Sequence, residues 1–83
     1  MQYYFVMCRS LTYAQRAARV LERAGITGIV TKAPQGASDK GCAYSVKVSE
    51  TRLKEALEVL RRAGLGTGHV FLQTGGRLQE VWP

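Results

Sequence analysis

Acidic residues are scarce in this 83-residue sequence, because only six Asp and Glu stand against twelve Lys and Arg. The net charge of +6 at pH 7 suits nucleic acid, an anionic membrane or an acidic partner, and does not choose among them. With 46% hydrophobic and 22% charged residues, the composition is that of a folded chain. The length suits a single small domain, residues 1–83, and leaves no room for a second.

Cysteine and histidine are also rare, with two Cys and one His. These three residues cannot form a structural zinc site within one chain, and we expect neither a metal nor another cofactor. A secreted fold held by disulfides normally carries four or more cysteines. We therefore expect Cys8 and Cys42 to be reduced thiols.

Long hydrophobic runs are missing. The longest one is far below the roughly 20 residues that a membrane helix needs. Residues 1–9 lack the basic start and the long apolar stretch that are typical of a signal peptide. We therefore expect a cytoplasmic chain without a membrane partner.

Hydrophobic periodicity and turn residues predict an alternation of strands and helices. Four strands are predicted, over residues 2–8, 26–32, 42–48 and 69–74. Two helices are predicted, each with a serine N-cap and a glycine stop: Ser10 to Gly25 and Ser49 to Gly64. A polar loop spans residues 33–41, and Gly75-Gly76 predicts a turn into a short C-terminal hairpin arm.

An internal repeat supports this order of elements. The segment Val20–Ile26 recurs 39 residues later as Val59–Leu65, and the same offset superposes Ser10 on Ser49. Two such halves predict an α+β ferredoxin-like split βαβ sandwich (βαββαβ), with a four-stranded antiparallel sheet and two helices on one face. The predicted core covers about residues 2–74, and the arm covers residues 75–83.

The repeat also assigns the faces of the first strand. Its offset superposes Tyr4, Val6 and Cys8 on the polar side of the third strand, away from the helices. An apolar strip on an open sheet face is unusual for a soluble monomer. Two explanations stay open: a homodimer that pairs sheet to sheet, or a C-terminal arm whose Val81 and Trp82 fold over this face.

Cys42 is the candidate functional residue, because it stands where the polar loop becomes a strand. A free thiol is only about 3% thiolate at pH 7, and a neighbouring cation raises that fraction. Lys40 can supply the cation, and Gly41 gives the loop flexibility. The alternative is a structural cysteine on the core-facing side of its strand. The predicted faces separate Cys8 from Cys42, which argues against a disulfide between them.

Four segments are similar to those of a known family: Arg9–Ala14, Leu21–Ile26, Ala33–Ser38 and Gly41–Val46. With them the chain resembles the selenium/sulfur carrier-like family of small bacterial domains of unknown function, over about residues 2–73. The loop of that family typically ends in a Cys-Gly pair whose cysteine is the proposed carrier position. The resemblance therefore implies that role for Cys42, with Ala43 in place of the family's glycine.

The resemblance implies a carrier rather than an enzyme with turnover of its own. Such a protein holds a persulfide or selenopersulfide on Cys42 and passes it from a donor enzyme to an acceptor enzyme. The alternative is a non-catalytic interaction module that dimerises through its open sheet face and docks on protein or RNA. RNA is the weaker partner, because the third strand lacks the aromatic run of RNA-recognition motifs.

Overall fold

The computed structural model describes residues 2–34, 44–66 and 68–81. Its elements are β1 (Tyr3–Cys8), α1 (Leu11–Arg23), β2 (Ile29–Lys32), β3 (Tyr44–Ser49), a 3₁₀ turn (Glu50–Arg52), α2 (Leu53–Arg62), β4 (Val70–Thr74) and β5 (Arg77–Val81). The fold is α+β, and the elements before β5 follow the predicted βαββαβ order. In the described part of the chain, neither helix has the length and apolarity needed to cross a membrane.

All five strands form one antiparallel sheet in the order β2-β3-β1-β4-β5. The prediction of four strands is wrong, because residues 77–81 pair with β4 and extend the sheet. The predicted turn at Gly75-Gly76 is confirmed. Both glycines have positive φ, +52° and +84°, which is the backbone geometry of a tight two-residue hairpin.

Both helices pack on one face of the sheet and form the core with its central strands. The two helices supply six of the thirteen buried residues that the structure describes in this core, whereas Ala24 and Ala63 at the helix ends are exposed. The buried helical residues are Ala14, Ala17, Leu21, Leu53, Ala56 and Leu60. The buried strand residues that meet them are Val6, Cys8, Val46, Val48 and Val70.

The two helices end with the same hydrogen-bonded cap. The backbone N–H of Ile26 donates to the carbonyl of Leu21 at 2.9 Å, and that of Leu65 donates to the carbonyl of Leu60 at 3.0 Å. In each case the preceding glycine has positive φ, as this type of cap requires. The repeat is therefore confirmed at the helix ends. Because Ile26 belongs to the cap, β2 begins at Ile29 and not at residue 26.

The two helices begin differently. The hydroxyl of Ser10 accepts a hydrogen bond from the Tyr13 backbone N–H at 3.1 Å, so the predicted N-cap is confirmed. Ser49 makes no such bond, and its Oγ lies 3.2 Å from Oγ1 of Thr51. The prediction that Ser49 caps the second helix is wrong, because the chain reaches Leu53 through the 3₁₀ turn.

The faces of β1 are the reverse of those predicted. Val6 pairs with Val46 and Cys8 pairs with Tyr44, so Tyr4, Val6 and Cys8 face the helices. The reason is a difference of one residue between the two halves. A shift of one residue turns every side chain of a strand to the other face.

That difference lies in the link between strand and helix. The last core-facing residue of β1, Cys8, precedes the first buried residue of α1, Ala14, by six positions. In the second half Val48 precedes Leu53 by five positions. The 39-residue offset therefore holds for the helices and fails for the strands.

The sheet face away from the helices carries the other residues of β1. Phe5 and Met7 lie there and are buried, and the buried hydroxyl of Ser45 has no hydrogen-bond partner among the described residues. Lys47 Nζ lies 4.2 Å from the centroid of the Tyr3 ring, within reach of a cation–π contact. This face is thus neither a bare apolar strip nor a purely polar surface.

Both explanations offered for the predicted apolar strip need correction. The strip of Tyr4 and Val6 faces the core. The observation that suggested a homodimer therefore does not hold. Val81 does not fold over the open face, because it pairs with Val70 at the sheet edge and packs against the core. Trp82 lies outside the described residues.

Two glycines before β4 give a matched test of how closely the chain before β4 approaches β1. A Cβ added to Gly68 would lie 2.9 Å from the carbonyl oxygen of Met7, whereas the nearest atom to a Cβ on Gly66 is the Tyr13 hydroxyl at 4.0 Å. We expect Gly68→Ala to lower the free energy of unfolding by about 1–3 kcal/mol. Gly66→Ala should leave it unchanged or raise it by about 0.4–1 kcal/mol. Urea unfolding followed by circular dichroism measures both, and equal effects would contradict the close approach at Gly68.

Candidate functional site

Three strand ends meet where residues 33–43 join the sheet. β2 ends at Lys32, β3 begins at Tyr44 and β1 ends at Cys8, and the register pairs Lys32 with Tyr44 and Tyr44 with Cys8. These three residues form one row across the sheet, which we call the loop edge. By strand alternation the row belongs to the side that faces the helices. Residues 33–43 connect two of its members along the chain.

The predicted site residues Lys40, Gly41 and Cys42 lie outside the described residues. Their attachment to the sheet is still known from the sequence. Cys42 precedes Tyr44 by two residues, and two residues of chain span at most about 7 Å. The loop edge is therefore the part of the described sheet that is closest to Cys42 along the chain.

Cys8, the second thiol, is buried at the loop edge. Its side chain faces the helices, the residue is 4% exposed, and its Sγ lies 3.6 Å from the carbonyl oxygen of Val6. The prediction that Cys8 lies on the open face is wrong, so it gives no argument against pairing with Cys42. Burial nevertheless makes Cys8 a poor candidate for the thiol that meets a partner enzyme.

Two cations border the loop edge, and sequence reasoning missed both. Lys32 is an exposed member of the row itself. Arg9 follows Cys8 directly, and its guanidinium lies 5.0 Å from the centroid of the Tyr13 ring. The Tyr13 hydroxyl donates to the carbonyl of Gly66 at 3.0 Å, which fixes the ring beneath Arg9. Lys32 and Arg9 come to the same end of the sheet because β1 and β2 both pair with β3. No local sequence motif reveals that pairing.

The positive end of α1 adds to this charge. The helix begins at Leu11, three residues after Cys8, and it has no acidic residue in its first turn. Unpaired backbone N–H groups at a helix N-terminus carry a partial positive charge. Together with Arg9 and Lys32, this helix end makes the surroundings of the loop edge electropositive.

A second polar pair lies on the β4–β5 hairpin. His69 Nδ1 contacts Oε2 of Glu80, and the imidazole ring lies 6.5 Å from the ring of Phe71. The sequence places no acid close to His69, and the pair forms only because the hairpin register brings Glu80 opposite Phe71. The pair is on the face away from the helices and is separate from the loop edge.

The two helices carry their positive charges differently. On α2, Glu58 accepts hydrogen bonds from Arg61 and Arg62, with N–O distances down to 2.6 Å. The hydrogen bond from Arg61 is the main reason that the pKa of the Glu58 carboxyl lies below its ordinary value. Just before α2, Arg52 pairs with Glu55 at 2.9 Å. Three cations on and before this helix thus pair with two neighbouring carboxylates.

Comparison with known proteins identifies the family. The described residues define a small α+β protein in which residues 33–43, with Cys42 among them, connect the neighbouring strands β2 and β3. Residues 3–71 match the family described as Putative Se/S carrier protein-like, and the chain belongs to this family. The resemblance seen in the sequence is thereby confirmed. No curated protein and no solved structure matches the chain.

Proposed function

We propose that this protein carries sulfur or selenium on Cys42 and passes it between partner enzymes. The observation that supports this most is the family match, whose range of residues 3–71 includes the loop and its cysteine. The proposal includes a single cytoplasmic domain, residues 1–83, with a ferredoxin-like core. It assigns the protein no catalytic turnover and no cofactor of its own.

The proposed chemistry is an exchange between two cysteines. The Cys42 thiolate attacks the outer sulfur of a donor cysteine persulfide (R–S–SH). The bond between the two donor sulfurs breaks, a new bond to Cys42 forms, and the donor cysteine leaves as a thiolate. The products are Cys42–S–SH and R–S⁻, so no external oxidant or reductant is needed. A donor selenopersulfide (R–S–SeH) would give Cys42–S–SeH by the same exchange.

The charges around the loop edge support this exchange. A thiolate is favoured by nearby cations and by a helix N-terminus. Lys32, Arg9 and the start of α1 supply such an environment at the strand ends to which the loop is attached. Lys40 stands still closer along the chain, and we propose that it stabilises the thiolate while Gly41 lets the loop adjust to each partner.

Sulfur loading tests the proposal directly. The purified protein is incubated with a cysteine desulfurase and cysteine, and its mass is measured without reductant. We expect up to one added sulfur per chain, which dithiothreitol removes. Cys42→Ser should abolish the added mass, whereas the matched variant Cys8→Ala should keep it. Equal loading of the wild type and Cys42→Ser would show that Cys42 is not the carrier.

A second candidate function is a non-catalytic interaction module that uses the open sheet face to dimerise or to dock on protein or RNA. The observation that favours it is Ile29, a large apolar residue that is 52% exposed on the edge strand β2. Alkylation of the folded Cys8→Ala variant with iodoacetamide separates the two candidates. A reactive Cys42 favours the carrier, and an inert Cys42 favours the interaction module.

A further inference from the structure

The outward face of α1 carries a row of unbalanced positive charge. Arg16, Arg19 and Arg23 are exposed, and at about 100° per residue they fall within a sector of about 60°. This sector lies opposite the buried side of the helix, so all three guanidinium groups point to solvent. We call these three residues the arginine stripe.

No carboxylate pairs with the arginine stripe in the described part of the chain. The ion pairs found there are those on and before α2 and the pair on the β4–β5 hairpin. The one acid of α1, Glu22, makes none of them. Arg16 and Arg19 are three residues apart, and Arg19 and Arg23 are four apart, spacings at which like charges repel on a helix.

Comparison with α2 makes this arrangement informative. There Arg61 and Arg62 share one carboxylate, Glu58, which offsets half of their charge within the helix. The two helices are related by the repeat, so the same fold accommodates either charge pattern. A stripe in which none of the three arginines has a paired carboxylate therefore favours a role in which an external carboxylate supplies the missing partner.

The first residue of the stripe, Arg16, lies toward the end of α1 that is next to the loop edge. α1 begins three residues after Cys8, and Arg16 lies about 8 Å along the helix from Leu11. Arg9 and Lys32 extend the positive charge from the start of the helix to the strand ends. A protein that binds the stripe would therefore be close to the attachment points of the loop.

We propose that the arginine stripe is the docking surface for an acidic patch on the sulfur donor or acceptor enzyme. The identity of the partner rests on the proposed carrier function, whereas the charge match does not. A guanidinium binds a carboxylate through two parallel hydrogen bonds. Three guanidinium groups in a row are therefore suited to bind a cluster of Asp and Glu side chains. Single-stranded RNA fits less well, because it uses aromatic rings for stacking and α1 has none between Arg16 and Arg23.

A binding experiment with defined anions tests the surface. The ¹⁵N-labelled protein is titrated with a decamer of glutamate and, separately, with a single-stranded oligouridylate of equal charge. We expect the decamer to shift the α1 amide signals and to bind more tightly than the oligouridylate. Raising the salt from 50 to 500 mM should weaken binding by about tenfold or more, because exposed charges are screened. Tighter binding of the oligouridylate, or shifts centred on α2, would overturn the proposal.

Variants on the two helices provide the control. Replacing Arg16, Arg19 and Arg23 together by Gln should weaken decamer binding by about tenfold, since it removes three charge-assisted contacts. Replacing Arg61 and Arg62 by Gln should change it less than about twofold. Glutamine is a good helix former, and all five positions are exposed, so thermal melts should stay close to the wild type. Weakening by both variants in proportion to the charge removed, three against two, would show that only net charge matters.

The same variants separate docking from the carrier function. Docking does not need the thiol, so Cys42→Ser should bind the decamer as the wild type does. Sulfur loading from the desulfurase, at protein concentrations well below saturation, should be slower for the stripe variant and unchanged for the α2 variant. Normal loading of the stripe variant would overturn the docking surface and leave the carrier intact. Decamer binding without any sulfur loading would remove the carrier function and its enzymes as the partner.

Discussion

Val6→Asp should leave most of the protein unfolded at 25 °C. Val6 is 1% exposed in the core between the sheet and the helices, opposite Val46. The change loses about 1.5–3 kcal/mol of apolar burial, and an unpaired buried carboxylate costs several kcal/mol more. A chain of this length has a free energy of unfolding of about 4–12 kcal/mol, so little or none remains. Far-UV circular dichroism and the dispersion of amide signals measure the result.

Ile29→Asp is the matched control, because it also puts a carboxylate in place of a β-branched residue in a strand. Ile29 is 52% exposed on the edge strand, so we expect a loss of about 1 kcal/mol or less. The comparison tests which face of β1 meets the helices. A folded Val6→Asp protein of near wild-type stability would place Val6 on the open face, as the repeat alone predicts.

Leu21→Ala should lower the free energy of unfolding by about 2–5 kcal/mol. The Leu21 side chain is fully buried, and its carbonyl accepts the hydrogen bond that closes the end of α1. The backbone bond survives the substitution, so the loss comes from the cavity and the missing apolar contacts. For a domain of this size, the melting temperature should fall by about 10–30 °C in a thermal melt.

Leu11→Ala serves as the control on the same helix. Leu11 is 39% exposed in the first turn of α1, and alanine has a slightly higher helix propensity than leucine. We expect its free energy of unfolding to change by less than about 1 kcal/mol. If Leu11→Ala and Leu21→Ala were equally destabilising, the assignment of the buried side of α1 would be wrong.

Local chemistry made much of the fold predictable. Gly25 and Gly64 end the helices because an L-residue with a side chain is strained at positive φ, and the hydrogen bonds of these caps span only six residues. The Gly75-Gly76 turn is equally local, as is the cap at Ser10. Each of these features depends on a few neighbouring residues, which is why a single sequence reveals them.

The faces of the strands were not predictable by the same means. They depend on how many residues lie between a strand and the helix that covers it, and the two halves differ by one. A repeat that is exact over the helices gives no sign of that difference. The fifth strand was predicted only as a short hairpin arm and not as a member of the main sheet, which it joins by pairing with β4 over Arg77–Val81.

The site divides in the same way. Cys42 was singled out because a thiol after a polar, glycine-containing segment is a local pattern, and its role remains a prediction. The meeting of Lys32, Tyr44 and Cys8 depends on pairing among three strands that are far apart in the sequence. The contact of His69 with Glu80 depends on hairpin register. Such long-range contacts require the tertiary structure.

The position of β5 has a consequence for aggregation. β4 has the sequence Val-Phe-Leu-Gln-Thr, and without β5 its backbone N–H and C=O groups would form an open edge that can template strand addition by another copy. β5 occupies that edge, and three of its five residues are polar, Arg77, Gln79 and Glu80, with both signs of charge. The family match ends at residue 71, so the strand that covers this edge lies beyond the matched range. A chain truncated before Gly75 would keep Cys42 but leave the apolar strand β4 as an unpaired sheet edge.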